Sequence, residues 1–184
     1  MNSNLENWNE LFGVIQMSKF WLIKSEPSEF SIYDFEKSKN KTTCWDGVRN
    51  YQARNFIRDE MKIGDKVLLY HSNTEPNALV GVCEVVKEAY PDHTQFDPKH
   101  KHYDPKADKK NPTWFMVDIK LVKKFKKPVT LEEIKANPKL ARMRLVQRGN
   151  RLSVMPVTKD EFDEIIRMES PLNPPKGDFL IPIK

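Results

Sequence analysis

Phe115, Val117, Ile119 and Leu121 alternate with Met116, Asp118 and Lys120. A period of two sends successive side chains to opposite faces, so this stretch specifies a half-buried β-strand and excludes an amphipathic helix there. Phe20–Lys24, Val67–Tyr70 and Leu79–Val86 are further apolar runs of strand length. The first leads into Pro27, which has no N–H to give a ladder, and Gly81 inside the third predicts a bulge or a close backbone approach. Arg151–Met155 is expected as another strand. Between these runs lie short helical signals. Thr130 with Glu133 forms a capping box before Leu131–Ala136, and Thr158 with Glu161 forms another before a helix buried through Phe162, Ile165 and Ile166. Ser31 to Asp34 is a weaker signal of the same kind, with Ile32 and Phe35 as the apolar residues. Strands interspersed with short helices give an α+β, sheet-rich chain.

A length of 184 residues bounds the chain to one domain with extensions, and 39% hydrophobic against 31% charged residues supports a real core under a well-solvated surface. The net charge of +5 favours polyanion partners, though many soluble proteins share such a balance. Cys44 and Cys83 stand far apart in unrelated contexts and read as two reduced thiols. No apolar run reaches membrane-spanning length. Residues 1–16 carry no Lys or Arg and no apolar signal core; they read as an N-terminal extension in which Leu5, Trp8, Phe12 and Ile15 can line one helical face. Residues 170–184, Pro-rich and then apolar, read as a C-terminal tail that packs across the domain or against a partner.

The densest chemistry lies in Thr42–Asn55, TTCWDGVRNYQARN. Asn50 is a credible N-cap, and Ala53, Phe56, Ile57 and Met61 then share the core stripe of a helix. Asn50 and Arg54, four apart, can bring their polar heads together on another stripe. Trp45 is placed in the loop leading in, and Gly47 allows that loop a tight or left-handed turn. An aromatic plate, amides and a guanidinium at a helix start suit a flat, polar ligand such as a nucleobase with its phosphate. Set against this, Trp45 on its own reads first as a buried core indole, a gap that the polar loop around it narrows and the family resemblance given below closes. Lys24 and Ser25 end one strand, and Tyr70-His71-Ser72-Asn73 closes another, both at positions fit for a site lip. Tyr90 offers a second aromatic wall. His71 reads about equally as a structural hydrogen-bonder, Glu26 as an acceptor or an ion-pair partner, and Arg54 as a partner for Asp118.

Arg49 and Arg54 form one arginine group and Arg142, Arg144, Arg148 and Arg151 another; converging, they would make a phosphate track. The lysines from Lys120 to Lys127 read first as a solubilising face. Tyr90–Pro112, with four prolines, three histidines and no periodicity, reads as a long functional or mobile loop. Its His93, His100 and His102, with Asp92, Asp97 and Asp104, match no standard zinc spacing, so no metal is expected. Cys44 with His71 lacks a third orienting group for nucleophilic catalysis. With six glycines and no phosphate-cradling motif, nucleotide-cofactor folds are not indicated.

TTCWDGVRNYQARNF, together with FWLIKSEP, LLYHSN, EAYPDHTQFDP, WFMVDI and RLSVMPVT in that order, closely resembles the EVE domain family. The resemblance implies a domain over residues 17–169 with a PUA-like small mixed β-barrel and short helices around its mouth. It also implies kinship with the YTH readers of methylated adenine, and hence a pocket for a modified base without catalysis or cofactor. The pocket expected from motifs and resemblance together comprises Lys24, Ser25, Trp45, Val48, Asn50, Arg54, Tyr70, His71, Ser72 and Tyr90, with Arg49, Arg54 and Arg151 on the nucleic-acid backbone. The expected ligand is a modified base, a modified cytosine first, in DNA or RNA. The expected protein is a monomer, cytoplasmic if bacterial and nuclear if eukaryotic. The alternatives are an enzyme on modified nucleotides, using His71 with Asp46 or Asp92, and a protein-interaction adaptor using the tail.

Overall fold

The computed structural model describes residues 18–170. The helical face expected within residues 1–16 and the packing expected of the tail lie outside the described residues. Six strands, β1 (Phe20–Ser25), β2 (Thr42–Trp45), β3 (Lys66–His71), β4 (Ala78–Pro91), β5 (Phe115–Thr130) and β6 (Val154–Val157), form one sheet in the order β2-β5-β4-β3-β1-β6. β1 and β3 run parallel, and every other pairing is antiparallel. A parallel pair needs a long crossover. Here it carries α1 (Ile32–Lys37), β2 and α2 (Tyr51–Asn55), the last continued by a π-helical turn at Phe56–Glu60. α3 (Leu131–Ala136) and α4 (Lys159–Glu169) follow β5 and β6. The α+β class with a mixed sheet and short helices is as expected. The hydrogen-bonded ladders leave the sheet unclosed, with no pairing of β2 to β6 among the described residues.

Both faces of the sheet are buried. Trp21, Ile23, Ile32, Phe35, Ile57 and Val67 pack on one face. Leu22, Leu68, Tyr70, Ile134, Met155 and Ile165 pack on the other. β1 therefore reads as a continuous apolar run because alternate residues enter different cores. Trp21 directs its indole N–H to Asp65 Oδ2 at 2.8 Å, and the same carboxylate accepts from the backbone N–H groups of Lys19 and Lys62, so a charge 2% exposed is well supplied with donors. All three capping signals hold, at Ser31/Asp34, Thr130/Glu133 and Thr158/Glu161. Asn50 caps α2 by accepting from Ala53 N, and Ala53, Ile57 and Met61 face the core as their spacing predicts.

The strand boundaries differ in instructive ways. Thr42–Trp45 is a strand, not a loop, because β5 is long enough to pair with it on one side (Thr42↔Lys120 to Trp45↔Val117) and with β4 on the other. β4 continues through Tyr90 and Pro91 instead of stopping at Val86. β6 begins at Val154, three residues later than expected, and takes Pro156 because among the described residues it is an edge strand paired with β1 alone. The register of β4 with β5 shifts beside Gly81, where an added Cβ would press on the Lys123 carbonyl and the Ile32 side chain.

Candidate functional site

The carboxyl end of β1, the exit of β2 and the long loop after β4 enclose a solvent-open cleft of about 490 Å³. Lys24, Ser25, Trp45 and Val48 line it, as do Glu26, Cys44 and Asp46. Trp45 is 9% exposed, belongs to the core cluster on its inner side, and meets the Phe30 ring edge-on at 6.3 Å. It thus serves as core and as cleft wall at once.

The far wall is made by His100, Lys101 and His102, which have no regular secondary structure. They are held by polar bonds at the base of the loop. Arg49 donates to Asp92 Oδ2 (2.7 Å), to Thr94 Oγ1 (2.9 Å) and to the His102 carbonyl through Nε (2.9 Å). Asp92, fully buried, also accepts from Gly47 N and from the Thr94 backbone and hydroxyl. Burial alone would raise its pKa, but the Arg49 guanidinium, then Thr94 and Gly47, more than offset that and hold the carboxyl below its ordinary range. Gln95 completes the clasp, donating to the Asp92 and Trp114 carbonyls and accepting from Thr113 and Trp114 N–H groups. Gly47 has φ +73° and its Cα abuts the His102 imidazole, which leaves no room for a side chain.

Two buried polar atoms in the cleft wall, Ser25 Oγ and His102 Nδ1, have no hydrogen-bond partner among the described residues. Such atoms are costly unless something pairs with them. Burial lowers the pKa of His102, helped by Arg49, Lys101 and His100, so its imidazole is neutral near pH 7. Burial lowers Lys24 as well. Carboxylates from Glu26, Glu29 and Asp46 balance Lys24 and Lys101, and Glu29 and Lys101 form an ion pair between opposite walls of the mouth.

The remaining expected residues lie elsewhere. Asn50 is occupied as the α2 cap, and Arg54 donates to Asn55 Oδ1 and the Thr113 carbonyl rather than to Asn50 or Asp118. Tyr70 is buried in the core on the opposite face of the sheet. His71 is also buried, and its Nε2 accepts from Ile32 N at the start of α1 (3.2 Å), which is the structural role; burial keeps it neutral by lowering its pKa. Ser72 binds the Ser25 carbonyl through backbone and hydroxyl, so it positions a cleft residue without lining the cleft. Tyr90 donates its hydroxyl to Asp118, and Lys87 covers its ring at 3.7 Å. Arg49 is engaged in the clasp, its guanidinium bonded to Asp92, Thr94 and the His102 carbonyl. Arg151 is exposed two residues from Ser153, another lining residue. The lysine run pairs with acids: Lys123 with Glu169, Lys124 with Glu36 and Lys127 with Glu133.

Phe30, Glu29, Lys101 and Ser153 line the cleft without a local sequence signal, as do His100 and His102, whose spacing speaks only to metal binding. No group of three or more His, Cys, Asp or Glu side chains is placed to hold a metal among the described residues. The one available signal was the length of the Tyr90–Pro112 loop; nothing local tells that it folds back onto Gly47.

A mixed sheet with an aromatic-walled, polar-lipped cleft at strand ends defines a small ligand-binding domain. The chain belongs to the EVE domain family, whose profile matches residues 19–168. Thymocyte nuclear protein 1 of Homo sapiens is 44% identical over 170 residues, covering 83% of this chain and 75% of that protein. A crystal structure of human THYN1 in complex with 5-methylcytosine-containing DNA is similar at 44% identity and TM-score 0.79, covering 83% of this chain and 98% of that one. A structure of a protein from Leishmania major is similar at 48% identity and TM-score 0.77, covering 83% and 94%.

Proposed function

We propose that this protein reads a single modified base, a modified cytosine first, presented by DNA or RNA to the cleft walled by Trp45. The observation that carries the reading is the Trp45 indole set at the wall of an open cleft also lined by Ser25, whose Oγ is without a partner among the described residues. The cleft volume suits a small planar ligand. Base–aromatic stacking contributes about 1–3 kcal/mol, and edge contacts must supply the rest of the few kcal/mol that extruding a base costs. The Glu26, Glu29 and Asp46 carboxylates can accept from an exocyclic amine, while Phe30 and Val48 offer apolar surface to a ring substituent. The 5-methylcytosine DNA named for human THYN1 supports this choice of ligand.

Binding without turnover fits the groups present. Burial, then Asp46 and Asp118, raises the Cys44 thiol and leaves it a poor nucleophile at neutral pH. His71 is engaged at α1 and Asp92 is enclosed by the Arg49 clasp, so neither is free for acid–base work. We assign residues 17–169 as the binding unit, and a nuclear location if the source is eukaryotic, following the name of its relatives. No helix among the described residues is long and apolar enough to cross a membrane.

The test is titration of matched oligonucleotides, with and without 5-methylcytosine, against wild type, Trp45→Phe and Trp45→Ala. Trp45→Phe should keep part of the discrimination and Trp45→Ala should lose it, with circular dichroism used to verify the fold. A folded Trp45→Ala protein with an unchanged modified-to-plain ratio would overturn the reading.

A further inference from the structure

Just outside the cleft, α2 begins with a tyrosine that the base-reading argument does not use. Tyr51 is 63% exposed, although it starts a helix whose inner face is fully buried. Its ring is backed by that of Trp114, with centroids 5.0 Å apart and planes 33° apart. Trp114 is fixed in turn, 6% exposed with its indole N–H on Asp104 Oδ2 at 2.7 Å. The Arg54 guanidinium lies 5.2 Å from the Tyr51 ring centre and 5.9 Å from that of Trp114, and is tied to the Thr113 carbonyl. Two more guanidiniums lie over neighbouring aromatic rings: Arg58, one helical turn beyond Arg54, over Phe115, and Arg144, exposed, over Phe56. Arg58 is the one of the three engaged by a carboxylate among the described residues, that of Asp59.

We propose that Tyr51, backed by Trp114 and flanked by Arg54, is a second stacking platform that takes an unpaired base next to the one read in the cleft. Arg54 and Arg144 then face the phosphates of that strand. The inference rests on the nucleic-acid reading of the cleft. An exposed aromatic face held rigid from behind loses little freedom on stacking, and stacking accepts any base. Guanidiniums beside it match a phosphate backbone in charge and in donor geometry. The placement also fits. Val48 lines the cleft and Tyr51 follows three residues later, at most about 10 Å along the chain. Stacked nucleotides advance about 3.4 Å each, so the platform lies within a few nucleotides of the cleft.

The experiment compares Tyr51→Ala, Tyr51→Phe, Arg144→Gln and Trp45→Ala on single-stranded oligonucleotides with and without a central 5-methylcytosine, at two salt concentrations. Tyr51→Ala should weaken both oligonucleotides equally, by about tenfold, and leave their ratio unchanged. Tyr51→Phe should bind like wild type, since the ring and not the hydroxyl is used. Arg144→Gln should lower the salt slope by about one. If Tyr51→Ala stays within twofold of wild type while Trp45→Ala loses discrimination, the platform is wrong and the cleft reading stands. If Tyr51→Ala weakens binding while Trp45→Ala keeps its discrimination, the cleft reading fails and the platform stands. Loss of discrimination in Tyr51→Ala itself would also overturn the platform, because it would make Tyr51 a reader of the modification.

Discussion

Gly47 lies directly beneath the His102 imidazole, and its backbone is left-handed at φ +73°. Gly47→Ala therefore meets two obstacles, the Cβ conflict with His102 and a conformation that side chains disfavour. The expected result is a loss of about 1–3 kcal/mol in denaturant unfolding, together with weaker modified-base binding as the His102 wall is pushed away. A variant with wild-type stability would show that the loop yields freely.

Arg49 joins the β2 exit to the long loop through Asp92, Thr94 and the His102 carbonyl. Removing it strands a carboxylate that has no exposed surface. Arg49→Ala should cost about 3 kcal/mol, measured by thermal or chemical unfolding, and Arg49→Lys should recover only part, because an ammonium lacks the fork that reaches all three acceptors.

Stability should fall as pH drops below the ordinary histidine range. His71 and His102 have folded-state pKa values lowered by burial, so the unfolded chain binds more protons between those values and about 6.5. Folding is thus favoured above this window and weakened as pH falls through it. A second loss follows at lower pH, when Asp92, depressed below its model-compound value of 3.8 by Arg49 and its other donors, becomes protonated. The melting temperature against pH should show the first decline in wild type and a shallower one in His71→Gln.

The lysines of β5 should matter little for nucleic-acid binding. Lys123 and Lys124 are matched by Glu169 and Glu36, and Glu169 also accepts from Lys126 N. The double substitution Lys123→Gln with Lys124→Gln should change oligonucleotide affinity by less than about twofold, against a clear drop in salt slope for Arg144→Gln. Equal effects would place the backbone path along β5.

Cys44 supplies a chemical reporter of the cleft. Its thiol, raised by burial and then by Asp46, should alkylate more slowly than free cysteine at neutral pH, and a bound 5-methylcytosine oligonucleotide should slow it further. Failure of the oligonucleotide to protect it would place the ligand elsewhere. Cys83, fully buried and with its thiol pushed strongly upward by burial, should stay unmodified in both states.

Elements written in local periodicity were legible: the β5 alternation, the three capping boxes, and the Ala53–Ile57–Met61 stripe. Each depends on residues a few positions apart. Trp45, Lys24, Ser25 and Val48 come together along the candidate cleft because they fall at or just past strand ends, where it opens. Tyr70 falls in the core on the other face because the side that a strand-end residue faces depends on pairing partners distant in sequence, whereas Tyr90 stays near Cys44 and Asp46 but gives its hydroxyl to Asp118 and does not line the cleft. His102 was missed for the same reason: its neighbour is Gly47, fifty-five positions away, brought there by Arg49 and Asp92.

The clasp built on Asp92 has an implication for how such domains diversify. The residues between Asp97 and Asp104 lie outside the hydrogen-bonded ladders and are held at a few anchors, so substitutions among them leave the strand pairing untouched. Under the proposed reading, a designer seeking a new recognition range has a replaceable segment facing the Trp45 indole.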